Sequence, residues 1–170
     1  MPGFEPLFRV LFVCTGNTCR SPLAAAALTR ALGDRAARVE VTSAGTAAFD
    51  GAPASEGSRR VAAGAGLDLS GHRSRRLDRA VLAGVDLVLL MDPRDLAHVR
   101  ALDPEAADQS YGLADFAQPA PTGEPVPDPY GGSPEAYEEC LRRIEAHLER
   151  VVPYVTAALE QRAADAKKPS

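Results

Sequence analysis

The sequence predicts an α/β fold built on a parallel sheet with helices on both faces. Short apolar β-prone runs alternate with helical stretches along the chain, and one run, Val85–Met91, is almost unbroken, as expected of a strand covered on both sides. The first run, Phe8–Val13, is compact and rich in β-formers. A helix over Pro22–Leu32 follows, with Ser21 as its cap, Pro22 in the first turn and Gly33 as its stop. Val39–Thr42 alternates as a short second strand, and a second helix is expected over roughly Ser55–Ala65. Beyond the Val85–Met91 strand, a third helix covers Arg94–Leu102. Pro119–Gly132 is rich in Pro and Gly and reads as a loop. The longest helix starts after Ser133-Pro134. There Tyr137, Leu141, Ile144, Leu148, Val152, Val155 and Leu159 form one apolar stripe that continues past Pro153, so the proline kinks this helix without ending it.

The 170 residues suit one domain, taken as 1–164, with a frayed polar tail over 165–170. A net charge of −4 gives no basic footprint for nucleic acid. The arginines at 73, 75, 76 and 79 sit among acidic neighbours and read as a solvated face. No apolar run approaches the ~18 residues of a membrane span, and the N-terminus lacks the pattern of a secretory leader. A cytoplasmic monomer with neither membrane nor nucleic-acid partner is expected. Cys14, Cys19 and Cys140 are odd in number, which argues against a disulfide framework. Cys14 and Cys19 lack a second cysteine pair, and His72, His98 and His147 are distant in sequence, so no metal site is expected.

The chemistry concentrates in Val13-Cys14-Thr15-Gly16-Asn17-Thr18-Cys19-Arg20-Ser21-Pro22. A strand delivers Cys14 to a short loop that ends at Arg20 and a helix start. In parallel sheets, ligand sites lie beyond the carboxyl ends of strands. Backbone N–H groups of such a loop form an anion nest, and the same field favours a thiolate. Arg20 can grip phosphate oxygens with two parallel bonds. Gly16 and Asn17 are types that tolerate left-handed backbone. A sulfur nucleophile facing phosphorus also needs an acid for its leaving group, and Asp128, in Pro127-Asp128-Pro129-Tyr130, is the candidate.

These segments resemble the low-molecular-weight protein phosphatase family over nearly the whole chain. CTGNTCRSP is similar to its phosphate-binding loop (Thr15, Gly16, Asn17, Thr18, Cys19, Arg20 and Ser21), with Cys14 as nucleophile and Arg20 as clamp. Asp128 in DPYGG matches its general acid, and Ser43-Ala44-Gly45-Thr46 and His72-Arg73-Ser74 match two further segments. The resemblance implies a four-stranded parallel sheet with flavodoxin-like winding, the phosphotyrosine phosphatase I-like fold. It also implies a supporting hydrogen-bond network of Asn17, Ser43 and His72, a phosphorylated protein as substrate, and a thiophosphate intermediate formed without metal or cofactor.

Two positions depart from tyrosine-specific members of that family. Thr18 stands where those members carry isoleucine or leucine, whereas members resembling protein-arginine phosphatases carry threonine; a hydroxyl there suits the polar guanidinium of phosphoarginine. Gly131 follows Tyr130 where many have a second tyrosine, which leaves Tyr130 and Phe49 as candidate substrate walls. The expectation leans to phosphoarginine, with phosphotyrosine as the alternative. If the loop curls as supposed, Cys19 comes within disulfide reach of Cys14 and could protect it from irreversible oxidation. Thioredoxin-coupled arsenate reductases share the loop, but their relay needs mid-chain cysteines and this chain has none between Cys19 and Cys140. A phosphate-binding module without turnover would make Cys14, Arg20 and Asp128 together unnecessary. Cys140 reads as core packing.

Overall fold

A computed structural model describes residues 7–169. The first six positions, read as lacking a leader, and Ser170 of the polar tail lie outside them. The parallel sheet has the order β2-β1-β3-β4, with β1 Phe8–Cys14, β2 Val39–Gly45, β3 Leu87–Leu90 and β4 Ser110–Gly112. The chain leaves β1 on one side to form β2 and on the other to form β3. The crevice of a doubly wound sheet therefore opens at the carboxyl end of β1, where Cys14 stands.

Strand periodicity sorts the core. Phe8, Val10, Phe12, Leu87 and Leu89 face helices α1 (Arg20–Leu32), α2 (Glu56–Gly64) and α6 (Pro134–Ala166). Leu11, Val13, Val88 and Leu90 face the other layer, of α3 (Arg79–Leu82), α4 (Leu96–Leu102) and α5 (Pro104–Ala107). Both faces of β1 and β3 are covered, which is why these strands read as continuous apolar runs.

Several expectations shift. Strand β2 runs three residues past Thr42 to Gly45, since its later residues pair with Phe12, Val13 and Cys14. Pro93–Asp95 is a 3-10 turn, so the third expected helix begins only at Leu96. Ser21 does not cap α1: the helix starts at Arg20, and its first residue follows Cys19, which makes no side-chain cap. Gly33 does stop α1, with φ 57. Helix α6 passes through Pro153 and reaches Ala166, inside the span read as a polar tail. The apolar stripe explains this, because Ile144, Leu148, Val155 and Leu159 stay buried on both sides of the proline. Among the described residues, no helix is long and apolar enough to cross a membrane, and no group of three or more His, Cys, Asp or Glu side chains is placed to hold a metal ion.

Candidate active site

Beyond β1 the chain wraps a cavity of about 320 Å³ lined by residues 14–20 together with Phe49, Ser74, Asp128 and Tyr130. Cys14 is 2% exposed and lies at this cavity. Its sulfur accepts from the Asn17 amide at 3.2 Å and lies 2.9 Å from the Ser21 hydroxyl oxygen. The uncapped start of α1 now makes sense, because the Ser21 amide in its first turn serves the sulfur.

The loop shape rests on Asn17, which is fully buried with φ 56. Gly16, the other residue read as suited to left-handed backbone, does not adopt it. The Arg75 amide donates to Asn17 Oδ1 at 2.9 Å, which fixes which end of the side-chain amide is oxygen. Both Nδ2 hydrogens are thereby aimed at hydroxyl oxygens, Ser21 Oγ at 2.8 Å and Ser43 Oγ at 2.9 Å. Since Ser21 Oγ already accepts from Asn17, its own hydrogen is free to donate to Cys14 Sγ. His72 Nε2 lies 2.7 Å from the Asn17 carbonyl oxygen, and because a carbonyl only accepts, Nε2 carries the proton. Asn17, Ser43 and His72 thus form one network around the loop. Gly45 is packed under it: a Cβ there would stand 2.5 Å from the Thr15 carbonyl oxygen and 2.9 Å from the Asn17 nitrogen.

The loop field does not act alone on Cys14. Burial is the largest influence and pushes the thiol above its ordinary value, while the Ser21 hydroxyl and amide, the Arg20 charge and the Asn17 amide pull it down. The expected thiolate therefore meets an opposing cost of desolvation that the residue pattern does not display. Arg20 is itself buried. Its Nη1 donates to the Val126 carbonyl at 3.1 Å, and Nη2 lies 3.5 Å from Asp128 Oδ2. Val126 also donates its amide to the Met91 carbonyl at 2.7 Å, which ties the Asp128 loop to the end of β3.

Asp128 is half exposed and accepts from the Tyr130 amide at 3.1 Å. Phe49 and Tyr130 stand at the mouth with rings largely in solvent, 87% and 73% exposed. Gly131 has φ 72, so a second tyrosine at that position would be strained. Thr18 is half-buried at the cavity wall, and its carbonyl accepts from the Ser55 amide at 2.8 Å. Cys19 is buried, its sulfur donating to Ser55 Oγ at 3.2 Å and lying 3.8 Å from Tyr137 Oη, away from the partners of Cys14. Cys140 is buried on α6, and burial pushes its thiol up to about 12. Arg73, Arg75, Arg76 and Arg79 are exposed, yet the Arg75 amide is part of the site.

The model of the low molecular weight phosphotyrosine protein phosphatase family matches residues 9–164. A low molecular weight protein-tyrosine-phosphatase of Streptomyces coelicolor is 36% identical over 163 residues, covering 92% of this chain and 99% of that protein. Among solved structures, the YwlE arginine phosphatase of Geobacillus stearothermophilus superposes with a TM-score of 0.80 at 33% identity, covering 91% of this chain and 96% of the other. The tyrosine phosphatase Wzb of Escherichia coli K30, solved with sulphate, gives 0.77 at 30% identity over 88% of this chain and 99% of that one. A match spanning almost every element of the sheet and both ends of the cavity makes the chain a hydrolase belonging to the low molecular weight phosphotyrosine protein phosphatase family.

Proposed function

We propose that the chain dephosphorylates proteins through a covalent phosphocysteine on Cys14, with Arg20 as phosphate clamp and Asp128 as general acid. The observation that carries this reading is the meeting of all three at one cavity, with the Arg20–Asp128 pair at 3.5 Å beside the strand end that bears Cys14. Loop amides and the Arg20 guanidinium hold the phosphoryl oxygens and balance the charge that develops on them. Sulfur attacks phosphorus as the bond to the leaving group breaks, P–O in phosphotyrosine or P–N in phosphoarginine, and Asp128 gives the departing oxygen or nitrogen its proton. In the second step Asp128 takes a proton from water as the water attacks phosphorus and the S–P bond breaks, which releases phosphate and the thiolate.

The raised Cys14 thiol is compatible with this path. A thiol beside a phosphate dianion holds as many protons as a thiolate beside the monoanion, so the Cys14 proton passes to a phosphoryl oxygen before attack. Hydrolysis of para-nitrophenyl phosphate by wild type and by Cys14→Ser tests the reading. Turnover in the first and almost none in the second is expected; equal turnover in both would refute it.

For substrate class we propose phosphoarginine, on the strength of Thr18 at the cavity wall. The second reading, phosphotyrosine, is favoured by the names of relatives such as Wzb and by the ring of Phe49. The ratio of activities on the two peptides, for wild type and Thr18→Ile, separates them: the substitution should shift the ratio towards phosphotyrosine. An unchanged ratio removes Thr18 from the argument. A reversible Cys14–Cys19 disulfide is proposed as protection against peroxide. Closing it requires Cys19 to leave Ser55 and Tyr137, and mass spectrometry of the oxidised protein should find the bond. Loss of activity that thiols do not restore, with no bond present, would exclude it.

A further inference from the structure

Residues 72–76 serve two loops at once. On one side His72 and the Arg75 amide hold Asn17 of the phosphate loop. On the other, the same segment fastens the turn from Phe49 to Ala52. Gly51 donates its amide to the Ser74 carbonyl at 2.8 Å, and the Ser74 amide donates to the Ala52 carbonyl at 2.7 Å. The Ala52 amide donates to Ser74 Oγ at 2.9 Å, and Ser74 Oγ in turn donates to the Phe49 carbonyl. The Arg76 amide donates to Asp50 Oδ1 at 2.8 Å.

Ser74 is 2% exposed, and its hydroxyl both donates and accepts, so no other polar group is needed to satisfy it. What this buried hydroxyl holds is a surface turn whose ring, Phe49, is 87% exposed and gains little from packing. Hydrogen bonds so concentrated under an exposed aromatic ring do not serve burial. They fix the backbone that carries the ring beside the cavity, which Phe49, Ala52 and Ser74 line together with Cys14.

We infer that Ser74 is a positioning residue for specificity: its hydroxyl fixes the Phe49 turn so that the ring stands as a preformed wall for a planar group attached to the phosphoryl. The inference rests on the phosphatase reading above and holds for a phenyl or a guanidinium leaving group alike, since both are planar. A wall ordered in advance need not be ordered by the substrate, so its benefit appears in binding of planar substrates. A substrate without a planar group cannot use it.

One substrate, one inhibitor and a mutant cycle test this. Para-nitrophenyl phosphate offers a planar group; inorganic phosphate, read as a competitive inhibitor, carries none. Ser74→Ala should raise KM for the aryl ester about three- to tenfold, the range of an aromatic contact, and change the Ki of inorganic phosphate by less than about twofold. Phe49→Ala should show the same selectivity, and the double variant should be no worse than Phe49→Ala alone. Equal rises in KM and Ki would reduce Ser74 to general stability and overturn the inference, as would effects of the two substitutions that multiply. If Ser74→Ala does not fold, Asp50→Ala removes the Arg76 anchor from the exposed side of the same turn. It should raise KM for the aryl ester selectively, and an unselective or absent change overturns the inference. Wild type that does not hydrolyse the aryl ester would instead remove the phosphatase reading.

Discussion

Replacing Asn17 by alanine removes the centre of the loop network while leaving every proposed reacting group in place. The side chain donates to Ser21 and Ser43 and accepts from the Arg75 amide, all within 2.9 Å. Three such bonds are worth about 1 kcal/mol each, and alanine in left-handed backbone at φ 56 adds about 1 kcal/mol of strain. Ser43 and the Arg75 backbone can find water once Asn17 is gone, whereas Ser21 is fully buried and keeps only Cys14. The net loss should therefore be about 3 kcal/mol, which with a urea m-value near 2 kcal/mol/M moves the unfolding midpoint down by about 1.5 M. Inhibition by inorganic phosphate should weaken in parallel, because the amides that cradle the anion lose their fixed directions. Asn17→Gly, which relieves the backbone strain, should recover only a small part of either loss. An Asn17→Ala protein with a midpoint within about 0.3 M of wild type and unchanged phosphate inhibition would refute the claim that this side chain holds the loop.

Further outcomes follow from the same geometry. Asp128→Ala should keep phosphate inhibition near wild type but slow turnover, most for esters with poor leaving groups; equal slowing across leaving groups would remove Asp128 from the acid role. Gly45→Ala should cost about 1–3 kcal/mol and lower turnover, since the added methyl meets the Thr15 carbonyl; thermal unfolding and steady-state kinetics read both effects. Ser21→Ala removes a group that pulls the Cys14 thiol down, so the pH midpoint of Cys14 alkylation by iodoacetamide should rise; an unchanged midpoint would remove Ser21 from that role. Burial holds His72 and His147 below the ordinary imidazole value, so the unfolded chain binds more protons than the folded one as pH falls through 6.5. Stability is thus full above pH 6.5 and should fall on acidification below it, by at most about 1.4 kcal/mol per pH unit for each histidine. Urea midpoints measured across that window, for wild type and His147→Gln, should show a shallower slope in the variant.

Elements with a strong one-dimensional signature were legible in the sequence. β1, β3 and α6 bury long apolar runs or stripes, and Cys14, Arg20 and Asp128, the proposed reacting groups, stand out by residue type and meet at one cavity. What stayed hidden depends on backbone or on distance. β4 is three residues long and contributes only Ser110 to the buried side, so no periodicity betrays it. The Val126 carbonyl that holds Arg20 and the Arg75 amide that orients Asn17 exist at every residue and leave no mark in residue type. Ser21 illustrates a conflict of roles: a serine before Pro22 reads as a helix cap, yet its hydroxyl is taken by Asn17 and Cys14. The sequence marks Ser74 only as part of His72-Arg73-Ser74, because the turn that it fastens lies more than twenty residues earlier in the chain. The cost of burying the Cys14 sulfur likewise emerges only from packing.

The account stands most directly on whether the Cys14 sulfur carries the phosphoryl group during turnover. Rapid mixing with a ³²P-labelled phosphoprotein, followed by quenching into alkaline denaturant and peptide mapping, measures this. The account predicts transient label on the peptide that contains Cys14, formed and lost within the turnover time. Continued turnover with that peptide unlabelled, or label on another residue, would contradict it.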